Sequence, residues 1–510
     1  MLITQILKYQ IQMKKRMLLT LPLVAISSNC IIAQQNSKPN IVFIFADDLT
    51  MDGLGSQNKD VSTPNLNELK NEGVFFSHTF NQGAWGGAVS VASRSMLNTG
   101  KYLWKAASYN NSNKQFQNNG NWPEGVTPYA SEKAQPGKHW GEYMKEAGYT
   151  TYFTGKWHVH TKKAEQAFDH VAHERPGMPN QTKERYDRKF LENEPDTWLP
   201  YDTTKQGYWK GGKHWSEVLA DDALQFIDMT KQDENPFFMY LAFNAPHDPK
   251  QSPKEYIDMY PVDKISIPKT FMEKYPFADH IGCSKDLRDE QLAPFPRTKY
   301  SVKKNRQEYY ALITHMDEQI GKIIKALKTS GNWDNTYIIF TADHGLAVGD
   351  HGFMGKQNMY DSSVRVPMIV TGPGVKKGKT IDHFVYLQDA MATSMDIAGS
   401  NNLSDIDFQS FLPLLQGEKV KTRDAVYGGY IGLQRMVRTK KYKMIIYPLI
   451  NTVRLYDIEK DPLEMIDLAG NPKYRKVMDN LFVKFEALQE EVCDPLDVKP
   501  YYNRFINKNK

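Results

Sequence analysis

The feature that most constrains the fold is a repeated pattern in which an apolar, strand-like run ends abruptly in polar residues. Residues 41–46 are continuously apolar, which is typical of a strand covered on both faces, and Asp47 and Asp48 follow directly. The same pattern recurs at residues 149–154, 236–243 and 336–341. Because helical patterns separate these runs, we predict an α/β fold with a large mixed, mostly parallel sheet flanked by helices.

Chemically capable side chains follow these runs. Open α/β sheets place their sites at the carboxyl ends of the strands, so we expect these side chains to meet at one edge. Lys156 and His158 stand two apart in a segment that reads as extended, which predicts that they project to the same side. The residues at the four strand ends are Asp47, Asp48, Lys156, His158, His247, Asp248, Asp343 and His344.

Other stretches fix the organisation of the chain. Residues 306–330 predict a long helix, whereas residues 160–215 and 250–300 are punctuated by Pro and Gly and read as irregular. Residues 109–121 are rich in Asn and predict a surface loop.

A glycine-rich turn leads into residues 90–100, which read as a short helix ending at Gly100. A hydroxyl group at a helix N-terminus lies among unpaired N–H groups, a place suited to an anion or a nucleophile. Taken alone, Ser90 is explained as an N-cap. Arg94, one turn later on the same helix face, and the polar strand ends favour an anion site instead.

The pattern Ser-x-Ala-Ser-Arg from Ser90, followed by Thr99 and Gly100, resembles the signature of the formylglycine-dependent (type I) sulfatases of the alkaline-phosphatase superfamily. Ala92 departs from the Pro that is commoner there. The resemblance implies a sulfuric ester hydrolase in which Ser90 is oxidised to 3-oxoalanine (formylglycine). It also implies maturation by a radical-SAM formylglycine-generating enzyme.

The resemblance further implies one bound divalent cation. Its ligands would be Asp47, Asp48, Asp343, His344 and the modified Ser90. Because oxygen ligands outnumber the one imidazole, we expect Ca²⁺, with Mg²⁺ or Mn²⁺ as alternatives.

The catalytic residues implied by the resemblance combine cations and imidazoles around that metal, an arrangement that suits a tetrahedral oxyanion. His247 would protonate the leaving oxygen and His158 would act as the base. Lys356 would bridge to the ester, while Arg94 and Lys156 would orient the hydrated aldehyde of Ser90. The substrate-binding residues would be Lys156, His247, Lys356 and Asp248, the last accepting hydrogen bonds from sugar hydroxyls.

We expect a sulfated carbohydrate as substrate, because aromatic side chains in irregular segments suit sugar rings. These are Trp85, Trp104, Trp157, Trp209 and Trp215, for each of which a place in the core is the equal alternative. One alternative is a phosphatase or phosphodiesterase of the same superfamily that uses unmodified Ser90, although such an enzyme usually needs a second metal. The other is a secreted glycan-binding protein without catalysis.

The N-terminus predicts export. Residues 13–16 form a positively charged segment, residues 17–26 form a short apolar core, and Ala33 precedes a plausible cleavage site, so residues 1–33 read as a signal peptide. We therefore expect a periplasmic or secreted protein, with a lipid anchor at Cys30 as the alternative; the apolar run is too short for a transmembrane span. Residues 1–33 contribute four positive charges to the formal net charge of +5, so the rest is nearly neutral and no nucleic-acid partner is expected.

The mature chain predicts two parts. Residues 36–405 form the N-terminal, alkaline-phosphatase-like sulfatase domain, and residues 406–510 form a smaller C-terminal subdomain with an antiparallel sheet and a helix. The short alternating stretches lie at residues 426–430, 435–438, 442–446 and 455–456, and the helix at residues 473–491. Cys283 and Cys493 lie too far apart in sequence to suggest a metal site or a disulfide framework.

Overall fold

A computed structural model describes residues 38–109, 136–175, 183–186 and 188–509 of the 510-residue chain. The predicted signal peptide, Cys30 and all but the first residue of the loop predicted at 109–121 lie outside these residues. The described residues from Asn40 onward form one compact unit. Its strands are β1 Asn40–Ala46, β2 Val74–Phe80, β3 Gly83–Ala84, β4 Thr150–Lys156, β5 His170–Arg175, β6 Phe237–Ala242, β7 Thr336–Ala342, β8 Arg365–Thr371, β9 Lys379–Tyr386, β10 Ala425–Tyr430, β11 Gln434–Thr439, β12 Tyr442–Tyr447 and β13 Thr452–Asp457.

The α-helices lie between and after these strands. They are α1 Pro64–Glu72, α2 Val89–Thr99, α3 Leu103–Tyr109, α4 Trp140–Glu146, α5 Ala164–Ala167, α6 Lys183–Tyr186, α7 Trp215–Met229, α8 Lys254–Asp258, α9 Lys299–Thr329, α10 Asp361–Val364, α11 Asp389–Ile397, α12 Leu412–Gln416, α13 Arg475–Glu491 and α14 Lys499–Lys508. No helix among the described residues is long and apolar enough to cross a membrane.

The larger sheet has eight strands in the order β5-β4-β6-β1-β7-β8-β2-β9. The five strands from β5 to β7 are parallel, whereas β8 runs antiparallel to both β7 and β2. Every residue of β1 is buried, as expected for a strand covered on both faces. Helices α1, α7 and α9 pack as one group, and α2, α4 and α11 as another. The predicted mixed, mostly parallel α/β sheet is confirmed.

The smaller sheet has five strands in the order β13-β12-β11-β10-β3. Strands β10 to β13 form the antiparallel meander that the sequence predicts, and α13 packs on β10 and β11. The short β3 pairs with β10 in parallel, so a segment next to α2 belongs to this sheet. The division between residues 405 and 406 stays a prediction.

Several bounds differ from the expectations. The long helix α9 begins at Lys299 rather than at residue 306, and β5 lies inside the segment read as irregular. Strands β2 and β9 were not predicted. Both cysteines among the described residues are free, Cys283 buried and Cys493 exposed.

Candidate active site

The sheet register brings four strand ends to one edge. Ala46 of β1 pairs with Ala342 of β7, while Ala242 of β6 pairs with Phe45 on one side and Gly155 of β4 on the other. Backbone hydrogen bonds continue past the strands: the N–H of Asp47 donates to Ala245 at 3.0 Å. The residues that follow β1, β4, β6 and β7 therefore lie together, as the sequence predicts.

The turn after β1 places its two carboxylates. Asp48 has a φ of 67°, in the left-handed region that non-glycine residues rarely adopt. Its N–H donates to Oδ1 of Asp343 at 3.0 Å, and its carbonyl accepts the Tyr309 hydroxyl at 2.7 Å. These bonds from α9 and from the end of β7 hold an otherwise unfavourable backbone, and Asp47 and Asp48 are both fully buried.

Helix α2 presents Ser90 to this cluster. The helix begins at Val89 with Ala88 as its N-cap, so Ser90 lies in the first turn and the N-cap explanation is wrong. The Ser90 hydroxyl donates instead to Oδ1 of Asp47 at 3.1 Å, and the side chain is buried. The helix ends as predicted at Gly100, whose φ is 66°.

Arg94 joins the helix to three strand ends. Its Nε donates to Oδ2 of Asp343 at 3.0 Å and its Nη1 donates to the Lys156 carbonyl at 2.7 Å. Its Nη2 lies 3.8 Å from Asp47, and the guanidinium stacks over the Phe45 ring. Burial raises the pKa of Asp343, but the charges of Arg94 and of two nearby lysines outweigh this effect and lower the pKa to about 2. The Asp343 carboxylate is therefore charged.

Two buried lysines complete the charge balance. The Nζ of Lys156 is paired with Asp47, and the Nζ of Lys356 is paired with Asp48. Burial lowers the pKa of Lys356, but the carboxylates of Asp48 and Asp289 raise it above its ordinary value. Three carboxylates and three cations therefore form one buried network.

The loop that carries Lys356 is held by residues that the sequence did not single out. The Lys356 N–H donates to Gln357 Oε1 at 3.0 Å, and Nε2 of Gln357 donates to Asp289 at 2.7 Å. Glu290 accepts the N–H groups of Met354 and Gly355, both at 3.0 Å. Asp289 and Glu290 lie in the segment predicted as irregular, where no motif marks them.

His247 lies over the carboxylates. Its Nδ1 is 2.7 Å from the carbonyl oxygen of Asp248, and its Nε2 is 3.4 Å from Oδ2 of Asp48. Burial lowers the pKa of His247 well below its ordinary value, and the Lys356 ammonium lowers it further. Asp248 is fully buried, its Oδ1 lies 3.1 Å from Nδ1 of His247, and its carboxylate accepts the Tyr186 hydroxyl. Tyr186 lies in a segment without a recognisable motif.

His158 and His344 lie at two other strand ends. Strand β4 ends at Lys156, and His158 has a φ of 54°, which is not an extended conformation. The prediction that Lys156 and His158 project to the same side of one extended segment is therefore wrong. Burial and Lys156 lower the pKa of His158 well below its ordinary value. His344 is buried with Nδ1 3.1 Å from the Gly345 carbonyl, and burial lowers its pKa to about 3.

A metal ion fits this donor set. Ligand atoms of Asp47, Asp48 and His247 lie within 4.8 Å of one another, and Oδ1 of Asp48 accepts no hydrogen bond from the described residues although it is buried. The oxygens of Asp343 accept from the Asp48 backbone and from Arg94. The predicted ligand set with Asp343, His344 and Ser90 stays a prediction.

The tryptophans divide into two groups. Trp85, Trp104 and Trp157 are at most 4% exposed and belong to the core, so their expected role as sugar-stacking surfaces is wrong. Trp209 and Trp215 are partly exposed, and their rings lie 4.5 Å apart.

The site lies at the carboxyl edge of the larger sheet, where open α/β folds hold their active sites. The Sulfatase family pattern matches residues 39–400, and the pattern described as N-sulphoglucosamine sulphohydrolase, C-terminal, matches residues 349–491. The chain belongs to the sulfatase family and is a sulfuric ester hydrolase.

Relatives of this chain are similar along most of their length. An arylsulfatase from Clostridium perfringens is 27% identical over 481 residues, covering 87% of this chain and 93% of that protein. An N-acetylglucosamine-6-O-sulfatase from Bacteroides thetaiotaomicron is 25% identical, covering 93% and 91%.

Solved structures share the fold. A structure in complex with its substrate D-glucosamine-2-N,6-O-disulfate has a TM-score of 0.70 at 22% identity and covers 91% of this chain and 100% of that one. A phosphonate monoester hydrolase from Agrobacterium radiobacter has a TM-score of 0.66 at 21% identity, covering 89% and 96%.

Proposed function

We propose that this sulfatase removes O-sulfate from a sulfated carbohydrate, using a formylglycine made from Ser90 and one divalent cation. The observation that carries the proposal is the Ser90 hydroxyl, 3.1 Å from Asp47 within a buried network of carboxylates, lysines and an arginine. The substrate class is supported by the relative named as an N-acetylglucosamine-6-O-sulfatase and by the structural neighbour that holds a sulfated glucosamine.

Ca²⁺ is the cation that we propose, with Mg²⁺ or Mn²⁺ as alternatives, held by Asp47 and Asp48 with Asp343 and His344. The cation would supply charge that stabilises a negative oxygen on residue 90, and a formylglycine there would supply the hydroxyl groups needed for attack on sulfur and for release of sulfate.

The chain's own residues hold the anion and the protons. Arg94, Lys156 and Lys356 supply three positive charges at the position where sulfate oxygens would lie. The carbonyl of Asp248 can only accept, so the proton of His247 sits on Nδ1 and Nε2 is the atom that would transfer a proton to the leaving oxygen. Nδ1 of His158 has no hydrogen-bond partner among the described residues, which leaves it available as the base.

Mass analysis of a peptide containing residue 90 tests the proposal. We expect the protein co-expressed with a radical-SAM maturation enzyme to carry a residue 90 lighter by two hydrogens and to release sulfate from sulfated sugars. Ser90→Ala should abolish both, whereas Ser95→Ala, a buried serine of the same helix, should retain both. Sulfate release with an unmodified Ser90 would contradict the proposal.

The second candidate is hydrolysis of a phosphorus ester by unmodified Ser90. It is favoured by the fold shared with the phosphonate monoester hydrolase. The same preparations distinguish the two: turnover of a phosphate or phosphonate ester that exceeds sulfate release, with residue 90 unmodified, would support this candidate.

We also propose that the protein is periplasmic or secreted after cleavage behind Ala33, with a lipid on Cys30 as the alternative. Cell fractionation with sequencing of the mature N-terminus tests this: a chain beginning at Gln34 supports cleavage, and a lipid-modified Cys30 supports the anchor.

A further inference from the structure

A short hairpin at residues 207–215 presents two tryptophans beside the active site. The N–H of Trp209 donates to the Lys213 carbonyl at 2.6 Å, and the N–H of Trp215 donates to the Gly207 carbonyl at 3.3 Å. The two indole rings meet edge to face with their centroids 4.5 Å apart, so each ring restricts the other. Both side chains are partly exposed, and the hairpin therefore offers an ordered aromatic surface to a ligand.

Gln251 ties this hairpin to the loop that carries His247, four residues earlier in the chain. Its Oε1 accepts the N–H of Gly207 at 2.7 Å, and its backbone carbonyl accepts Nε2 of His214 at 2.8 Å. Gln251 is buried, so it holds both strands of the hairpin from inside the protein. The position of Trp215 relative to His247 is therefore set by direct hydrogen bonds.

One cleft joins Trp215 to His247, because both residues line it. Trp215 and Asn244 are partly exposed and form its mouth, whereas His247 is 4% exposed and lies deeper. The enclosed part of the cleft has a volume of only about 20 Å³, which is room for about one water molecule. A sugar ring would therefore lie at the mouth, against Trp215, with only its ester oxygen reaching towards His247.

Arg175 supports the indole of Trp215 from the larger sheet. It is the last residue of β5 and the register partner of Lys156, so a further strand end reaches the site. Its guanidinium lies over the Trp215 ring, 4.7 Å from the centroid, and its Nη2 donates to the Gln206 carbonyl at 2.9 Å. A cation over an aromatic face attracts that ring, and this contact therefore helps to fix the orientation of the indole.

A partly exposed indole combines an apolar face with one polar atom. The indole N–H of Trp215 makes no hydrogen bond with any described residue, so it can donate to a ligand. A pyranose ring has a face of C–H groups and a rim of hydroxyl groups. The two are complementary, since the face can stack on the indole while a hydroxyl accepts its N–H.

We propose that Trp215 determines the specificity for the leaving group, by stacking on the sugar ring whose oxygen His247 protonates. Arg175 and Trp209 are positioning residues that hold the indole at the mouth of the cleft. This inference rests on the proposed function and narrows it, because the released alcohol then has to be a closed ring with a face of C–H groups.

The test compares a sulfated monosaccharide with its reduced, open-chain form, which keeps the sulfate and the hydroxyls but has no ring face. With matured enzyme, we expect Trp215→Ala to lower kcat/KM for the closed ring by about 10- to 100-fold. For the open chain we expect a change of less than about 3-fold. Trp215→Phe keeps an aromatic face and should recover most of the loss on the closed ring.

Trp333→Ala is the matched control. Trp333 is also partly exposed and also lies under a cation, Lys328, at 4.8 Å, but it precedes β7 at the edge of the sheet opposite the site. This variant should retain the preference for the closed ring. A Trp215→Ala protein that keeps full activity, or that loses it equally on both substrates, would overturn the inference.

A double variant tests the positioning role of Arg175. We expect Arg175→Met to lower kcat/KM for the closed ring by about 3- to 10-fold, and to add little to the loss caused by Trp215→Ala, because both changes disturb the same ring. Losses that multiply in full would refute this role.

A binding measurement separates this inference from the proposed function. Calorimetry on Ser90→Ala protein, which needs no maturation, should show that Trp215→Ala in that background weakens binding of the closed ring and not of the open chain. Closed-ring binding that Trp215→Ala leaves unchanged, or no such binding at all, would overturn the inference. Matured enzyme that releases sulfate from no saccharide would refute the proposed function, while the calorimetric result would still decide the role of Trp215.

Discussion

Replacing Lys356 by Met is expected to destabilise the protein strongly when divalent cations are absent and much less when they are present. In the structure the Lys356 ammonium is paired with Oδ2 of Asp48, and neither side chain is more than 2% exposed. The other oxygen of Asp48 accepts no hydrogen bond from the described residues. Removing the lysine therefore leaves a buried carboxylate without compensation, a change that lowers the free energy of unfolding by about 3–5 kcal/mol.

A cation held by Asp48 replaces the missing charge. For the wild type, a ligand present at about 100 times its dissociation constant adds about 2.7 kcal/mol to the free energy of unfolding. The variant's site has one positive charge fewer, so it should bind the cation more tightly and gain about 1–3 kcal/mol more than the wild type.

Denaturant unfolding in EDTA and in excess Ca²⁺ measures both quantities. Lys443→Met is the matched control, because Lys443 is a fully buried lysine paired with Asp361 at 2.8 Å and Glu464 at 2.6 Å, outside the proposed cation site. Its loss of stability should be the same in both conditions. If Lys356→Met also loses the same free energy with and without the cation, Asp48 is not a metal ligand and the reasoning fails.

Three further predictions concern stability and the site. Burial lowers the pKa of His139 to about 4 in the folded protein, whereas its pKa in the unfolded chain is about 6.5. Between these two pH values the unfolded chain binds a proton that the folded chain does not, so up to about 3 kcal/mol of stability is lost as the pH falls from about 6.5 to about 4. Denaturant unfolding at several pH values should show that His139→Gln reduces this dependence of stability on pH. Gly100→Ala should lower the free energy of unfolding by at least about 1 kcal/mol, because the φ of Gly100 is +66° and the new Cβ would lie 2.5 Å from Ile406. An unchanged melting temperature would contradict this prediction. Arg94→Lys keeps the positive charge but loses the planar guanidinium that orients Asp343, so the rate of sulfate release should fall by about 10-fold or more. Full activity of this variant would show that Arg94 does not have this orienting role.

The sequence predicted those parts of the fold in which burial leaves a continuous apolar run. Strand β1 is buried throughout, and the polar residues after it therefore stood out. Strand β9 lies at the edge of the larger sheet and has several exposed residues, and the register of β2 shifts between Phe76 and Thr79. Neither sequence therefore shows the continuous apolar run or the regular alternation of apolar and polar residues that marks a strand. The first turns of α9 are largely polar, which hid the start of that helix.

The site divides in the same way. Side chains directly after buried strands were predicted because the register of a parallel sheet brings strand ends together. Tyr186, Asp289 and Glu290 act through long-range contacts, and nothing in their local sequence marks those contacts. The ligand set, the maturation of Ser90 and the export of the protein remain predictions.

The buried network assigns different tasks to its three cations. Arg94 is always charged, and its guanidinium is held in place by direct contacts with a carbonyl oxygen and with Asp343. Among the described carboxylates, Lys156 is paired only with Asp47 and Lys356 only with Asp48. The oxygens of these two aspartates are also the atoms that could hold a cation. A bound cation competes with the two ammonium groups for those oxygens, and we therefore expect it to strengthen the attraction of both lysines for an anion. The affinity of Ser90→Ala protein for inorganic sulfate should accordingly rise with Ca²⁺, and an affinity that Ca²⁺ leaves unchanged would refute this coupling.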